Sequence, residues 1–214
     1  YFWDPNVAVP FGTVNHDHRK IVTYISHGLG DHVDSEGHGT HLAGSLVGDA
    51  LVPSDLNLQR DAQMYNGMAP KAKLAFSDLQ AGDGSNDLPV PPDLNALYFP
   101  EPWAAGARIR SDSWGGLSAA YTMEASEVDA FAWENREFLS IWAAGNEGYN
   151  GMYTIGTPAT CKNCLSVGSS QSAPASFVQF GSVDAEVLLE PTTSLSEVQC
   201  MMQMALHGSR LAAR

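Results

Sequence analysis

The sequence predicts a three-layer α/β fold in which helices flank a mostly parallel central sheet. Three observations carry this expectation. Short β-branched or apolar runs alternate with stretches of helical composition, the pattern of βαβ units. One run, Phe138 to Ala144 (FLSIWAA), is apolar over the length of a strand buried on both faces. Hydrophobic residues make up 44% of the 214 residues and charged ones only 16%, a balance that favours a packed core over disorder. At this length a single α/β domain, or most of a larger one, is the natural expectation.

The elements follow in order. Arg19 to Ile25 (RKIVTYI) reads as a strand, and Ser26 to Gly39 as a loop rich in Gly, His and Asp. From Thr40 the run continues with small and apolar residues at helical spacing, and Pro53 is expected to stop it. Lys73 to Leu79 is a second strand, and Ala81 to Pro92 a loop dense in Gly, Asp and Pro. Leu94 to Gly106 carries a short helix. Ala107 to Ser113 is a strand entering Trp114-Gly115-Gly116, Ala119 to Arg136 is helical, and Phe138 to Ala144 ends at Gly145-Asn146. Leu165 to Gly168 is a last short strand. In parallel sheets the functional loops gather at the carboxyl ends of the strands. Gly28 to Gly39, Gly82 to Asn86, Trp114 to Gly116 and Gly145 to Gly148 are therefore expected near that edge. After about Phe180 the rhythm fades, and Val187 to Arg214 shows none. No internal repeat is present.

Charge removes some function classes. With 24 acidic against 11 basic residues the net charge is −13. No Lys/Arg stripe exists to displace counterions from nucleic acid or to dock on anionic lipid. No apolar stretch reaches the ~20 residues needed to cross a bilayer. Residue 1 is Tyr, and Tyr1 to Pro10 shows no charged region followed by an apolar one, so no signal peptide is visible. Three cysteines are too few for a disulfide scaffold. Cys161 and Cys164 form an isolated C-x-x-C, read as small buried thiols or one local bridge, and Cys200 stands alone.

The segment richest in chemistry is Gly37-His38-Gly39-Thr40-His41-Leu42-Ala43-Gly44. A histidine at a helix start lies near unpaired backbone N–H groups and the positive end of the dipole, which favours a neutral base. Gly37 and Gly39 allow sharp turns beside it. Ala43 and Gly44 permit close approach of another element.

This run resembles the catalytic-histidine motif of the subtilisin-like serine proteases, the subtilases, whose pattern H-G-T-H-[VL]-A-G is matched from His38 to Gly44. Ser111-Asp112-Ser113-Trp114-Gly115 is similar to the family's S-x-S-W-G strand. Ala143-Ala144-Gly145-Asn146-Glu147-Gly148 is similar to its A-A-G-N-x-G segment. Thr157-Pro158-Ala159 through Val167-Gly168 resembles the P-A…V-x-V-G region that follows. The resemblance covers roughly Asp17 to Phe180 and implies a subtilisin-like fold and serine-type endopeptidase activity.

By the resemblance, His38 matches the general base that takes a proton from a serine hydroxyl and returns it to the leaving amine. Asn146 matches the side-chain donor to the oxyanion; loss of that donor costs ~10²–10³ in turnover in subtilisin. Ser113, Trp114 and Gly115, with Ala144 and Gly145, match the cleft that binds an extended polypeptide substrate by strand addition. The two remaining triad members have no matching motif. No D-[ST]-G occurs, and Asp4, Asp17 and Asp34 each lie in the wrong context, so the Asp-bearing strand is expected upstream of Tyr1. No G-T-S-[ML]-A occurs either. Ser209 is the late candidate, but Arg210 stands where the family has an apolar residue. The expectation is a partial catalytic domain over residues 1–185, a divergent tail over 186–214, and at most trace turnover by this chain alone. In subtilisin, losing the serine or the histidine alone costs about as much as losing the whole triad.

Other readings compete. A subtilase-like domain without its serine would be a peptide-binding module. Six of the seven histidines (16, 18, 27, 32, 38 and 41) cluster early. His38 and His41, with Asp34 or His32, suggest a metal site, although no standard metal spacing is present. The plainer expectation makes His41 structural and His16, His18, His27 and His32 solvated. Gly82-Asp83-Gly84 lacks the rest of a phosphate loop. The resemblance implies no catalytic cofactor and admits a structural Ca²⁺, for which Asp83, Asn86 and Asp87 offer oxygens; a solvated acidic loop is the plainer reading. It also implies secretion or an endomembrane lumen.

Overall fold

A computed structural model describes residues 1–28, 32–34, 36–51, 56–81 and 88–170. The acidic loop 82–87, Pro53, Cys200 and Ser209 lie outside the described residues. The chain divides into two compact units, Tyr1–Arg108 and Ile109–Arg214.

The first unit contains β1 (Ile21–Ser26), α1 (His38–Val47), α2 (Leu56–Gln63), β2 (Leu74–Asp78), α3 (Leu94–Leu97) and α4 (Pro100–Ala104). The β-branched run at β1 suits a pleated, buried surface, and Val22, Thr23 and Ile25 are all buried. β1 pairs in parallel with β2, Ile25 opposite Ser77 and Ser26 opposite Asp78. On its other side β1 bonds the N-terminal segment, through Tyr24 N to Pro10 O and Gly12 N to Tyr24 O, both at 2.9 Å. Leu94, Tyr98 and Phe99, each at most 1% exposed, form the core beneath.

The second unit contains β3 (Ile109–Asp112), α5 (Met123–Glu134), β4 (Leu139–Ala143), a 3₁₀ turn (Gly148–Asn150) and β5 (Cys164–Val167). Its sheet is parallel, in the order β3-β4-β5. Ala125, Val128, Asp129 and Ala132 fall at helical spacing and form the buried stripe of α5, which packs on β4 and β5. Phe131 meets Phe138 edge-on at 4.9 Å. The α/β class with parallel sheets and flanking helices is thus present, with one sheet in each unit.

Several boundaries differ from expectation for physical reasons. α1 starts at His38 and ends at Val47, because Gly48 leaves helical geometry and donates its N–H to Gly44 O at 3.0 Å. The segment 94–106 splits into α3 and α4, since Pro100 opens a new helix at its first position. α5 begins only at Met123, after the extended Thr122. β4 is not buried on both faces. Ser140 and Trp142 are fully buried on one face, whereas Leu139 on the other is 42% exposed. α2, whose sequence is rich in Asn, Gln, Asp and Arg, carries no apolar stripe that announces it.

Candidate functional site

In the first unit the site is built around the start of α1. Gly37 adopts φ +72°, a left-handed geometry that suits glycine, and the next residue, His38, opens the helix half-buried. Asp34 caps this end. One carboxylate oxygen accepts from Gly37 N at 2.9 Å and the other from Thr40 N at 2.6 Å, so a negative charge sits at the positive helix end. Gly39 is helical rather than a turn. A Cβ there would lie 3.0 Å from Phe76 Cζ, so the bare glycine lets the helix settle on the β2 ring. Phe76 in turn packs against Tyr24 at 5.1 Å. Gly44 has open space at its own Cβ position; the close approach belongs to Gly67, whose Cβ would stand 2.6 Å from Gly44 O.

Of the histidines expected to be solvated, His16 and His32 are exposed, whereas His18 and His27 are not. His18 is 1% exposed, and its Nδ1 accepts from Lys20 N at 3.1 Å and Ile21 N at 2.8 Å. Burial, reinforced by Arg19 and Lys73 and opposed by Asp4, lowers its pKa. His32 is exposed but lies 4.2 Å from the Phe11 ring and 5.6 Å from Tyr24. His27 packs on Tyr98 at 5.2 Å. His18 and His27 are taken up by local packing. Among the described residues no group of three His, Cys, Asp or Glu side chains is placed to hold a metal ion. His32, Asp34, His38 and His41 therefore do not make the metal site that their spacing suggested.

In the second unit, β3 and β4 run in parallel, so both deliver their following loops to one sheet edge. Asp112, at the end of β3, is buried. It takes a bidentate pair from Arg110 at 2.8 and 3.2 Å and a bond from Trp114 Nε1 at 3.2 Å. Trp114 meets the fully buried Trp142 edge-on at 4.9 Å, and Trp142 Nε1 donates to Ser140 Oγ at 2.7 Å. The direction of the chain through Ser113, Trp114 and Gly115 is set by these contacts.

A third segment joins the two loops. Gly116 N donates to Thr157 O at 2.9 Å, Gly156 N to Ala144 O at 3.0 Å, and Ala144 N to Val167 O at 2.9 Å. The contact is too close for side chains. A Cβ on Gly115 would stand 2.5 Å from Thr157 O, and one on Gly156 2.2 Å from Gly116 O. Thr157–Pro158 is a cis peptide. Gly145 takes φ +102°, and Asn146 follows it exposed to solvent. The structure thus brings Ser113–Gly116, Ala144–Gly145 and Gly156–Thr157 into one backbone cluster. His38 belongs to the other unit, on α1.

Two features of the site had no sequence signal. Asp129 looks like a surface charge on an amphipathic helix, yet it is buried. It accepts from Tyr121 OH at 2.7 Å, Lys162 N at 2.8 Å and Asn163 N at 2.6 Å. Two of its partners, Lys162 and Asn163, lie in the turn between Cys161 and Cys164, which are joined in a disulfide; this is the local bridge that was one of the two expectations. The seat of Gly39 on Phe76 was equally invisible, because it needs the β2 register.

Comparison with known proteins agrees with the motifs. The model of the Subtilase family matches residues 12–204. The serine protease/ABC transporter B family proteins tagD and tagB of Dictyostelium discoideum are 41% and 39% identical to the chain over 186 residues. Each alignment covers 83% of this chain, but only 10% and 9% of those proteins. Alkaline protease 1 of Emericella nidulans is 29% identical over 185 residues, covering 79% of this chain and 39% of that protein. The chain therefore spans about a tenth of the length of its Dictyostelium relatives.

Proposed function

Because this chain belongs to the subtilase family, we propose that it supplies the general base, the oxyanion donor and the substrate-binding strand of a serine-type endopeptidase. The observation that carries this reading is the backbone cluster of the second unit. It holds Ser113–Gly115 beside Ala144–Gly145 through the bonds of Gly116 and Gly156, immediately before Asn146.

In this reading the polypeptide substrate lies extended along Ser113, Trp114 and Gly115, where main-chain bonds give affinity. The Asn146 amide donates to the oxygen of the scissile carbonyl as it gains negative charge. The His38 imidazole removes the proton from the attacking serine and delivers it to the leaving amine. Asp34 is a positioning residue: it fixes the first turn of α1, and so the direction in which His38 leaves the backbone. The serine nucleophile and the orienting aspartate come from polypeptide outside these 214 residues. No catalytic cofactor enters this scheme. By composition alone, Asp83, Asn86 and Asp87 offer oxygens for the structural Ca²⁺ that the family admits, a solvated acidic loop being the plainer reading. Secretion or an endomembrane lumen suits the Cys161–Cys164 bridge, since such bonds persist in oxidising compartments. No helix among the described residues is long and apolar enough to cross a membrane.

A second reading has its own support. With neither a D-[ST]-G nor a G-T-S-x-A segment in the sequence, the chain by itself acts as a peptide-binding module. A fluorogenic peptide assay separates the two. The 214-residue chain alone is expected to give no more than trace cleavage, and a longer polypeptide that includes a G-T-S-x-A segment to give cleavage blocked by a serine-directed inhibitor. Robust inhibitor-sensitive cleavage by the 214-residue chain would refute the assignment of the nucleophile outside it. Absence of cleavage from the longer polypeptide would favour the binding module.

A further inference from the structure

We propose that the Cys161–Cys164 bridge is a thiol–disulfide exchange site, and that its reduction by a dithiol loosens the start of β5 and, through it, the Ala144–Gly145 segment. The two cysteines are half-buried, and the residues between them, Lys162 and Asn163, are exposed. An attacking thiolate therefore has an approach from solvent.

The surroundings make this C-x-x-C an acceptor of electrons and not an exchange catalyst. Catalytic pairs of this spacing use a helix N-terminus or a nearby cation to favour the thiolate. Here the second cysteine opens a strand, the Asp129 carboxylate binds the turn between them, and Lys162, the cation in that turn, is laid over the Tyr121 ring.

The bridge also lies at one end of a continuous chain of contacts. Asp129 Oδ1 accepts both amides of the turn, and Asn163 Nδ2 donates to Asp129 O at 3.2 Å. Lys162 Nζ lies 4.5 Å from the centre of the Tyr121 ring, and the Tyr121 hydroxyl donates to the second Asp129 oxygen. Cys161 N donates to Pro158 O at 3.0 Å, and Ser166 Oγ donates to Ala159 O. Cys164 pairs with Ser140 in the sheet, and three residues later Val167 O accepts the amide of Ala144. The covalent bond closes the turn that presents two amides to a buried carboxylate. Opening it removes the covalent constraint that holds both amides toward Asp129, so that only their hydrogen bonds, beside the one from the Tyr121 hydroxyl, keep the turn in place.

The reaction balances in two steps. A thiolate of the dithiol attacks one bridge sulfur, breaking the Cys161–Cys164 bond and forming a mixed disulfide. The second thiol of the reductant then displaces the protein sulfur. Two electrons and two protons end on Cys161 and Cys164, and the reductant leaves as its own disulfide.

The test uses the 214-residue chain with Cys200→Ala, so that only these two sulfurs report. The chain is titrated with dithiothreitol, quenched by alkylation and weighed, while backbone amide exchange is followed residue by residue. Opening of the bridge in folded protein is expected, with two alkyl groups per chain and unchanged far-ultraviolet dichroism. Exchange at Lys162, Asn163 and Ala144 should rise about tenfold or more, on the scale of the constraint that a short disulfide loop imposes. Reoxidation should restore protection, and Cys161→Ser/Cys164→Ser should show the fast exchange without reductant. A bridge that opens only when the whole unit unfolds, or that opens with Ala144 unchanged, would overturn the proposal. Neither readout depends on peptidase activity.

Discussion

The Cβ position of Gly39 and the ring tip of Phe76 are separated by 3.0 Å. That spacing seats the first turn of α1, and with it His38, directly on β2. Ala at residue 39 would gain helix propensity of up to about 1 kcal/mol. The ring it would push is held by Tyr24 at 5.1 Å, and overpacking costs about 1–3 kcal/mol. Gly39→Ala is therefore expected to destabilise the chain by about 1 kcal/mol in urea unfolding. Phe76→Leu in the same chain should recover part of the loss; a stabilised Gly39→Ala would show that the ring gives way freely.

Asp34 holds the same first turn of α1 through its carboxylate. Asp34→Ala removes both the Gly37 and the Thr40 acceptors and is expected to cost about 1 kcal/mol, the usual value of an N-terminal cap. Asp34→Asn keeps one side-chain acceptor and should lose less. Equal losses for the two variants would show that the carboxylate contributes through charge alone.

His18 gives the first unit a pH dependence. Its folded pKa is depressed from the usual 6.5, chiefly by burial. The unfolded chain therefore binds this proton more readily than the folded one. Stability contributed here is fully present above about pH 6.5 and is lost as pH falls toward the lower folded value. Protonation also turns Nδ1 from an acceptor into a donor facing the Lys20 and Ile21 amides. Asp4, whose pKa is lowered by amides of Asn6 and Arg19, stays charged through this window. His18→Asn, which offers an amide oxygen in place of Nδ1, should flatten the decline in unfolding free energy between pH 7 and pH 5. An unchanged slope would assign the decline to other groups.

The glycines of the second unit are required for a different reason. A Cβ at residue 156 would lie 2.2 Å from Gly116 O, and backbone cannot yield as a side-chain tip can. Gly156→Ala is expected to cost about 3 kcal/mol or more and to abolish protection of the Gly116 and Gly156 amides in hydrogen exchange. Protection as in the unaltered chain would mean that the two segments are not held in contact.

Much of this arrangement was legible because the relevant signals are local. Short β-branched or apolar runs announced β1, β2, β3, β4 and β5 to within about two residues, and the HGTHLAG run announced α1. Asp129, His18 and the Gly39–Phe76 contact were not legible. Asp129 depends on a partner 34 residues away and Gly39 on the neighbouring strand, while His18 bonds the nearby Lys20 and Ile21 amides but is buried, and burial of a polar side chain leaves no periodicity. α2 was missed since its polar composition resembles a loop. Pro100 was read inside one helix, although a proline that opens a second is the simpler consequence of its missing N–H.

The most direct test of the account is peptide hydrolysis by a longer, active polypeptide that contains this segment, measured with and without His38→Ala. If His38 is the general base, kcat should fall by about 10⁴-fold or more while peptide binding stays near its original strength. Turnover retained within about tenfold of the unaltered protein would contradict the assignment of His38.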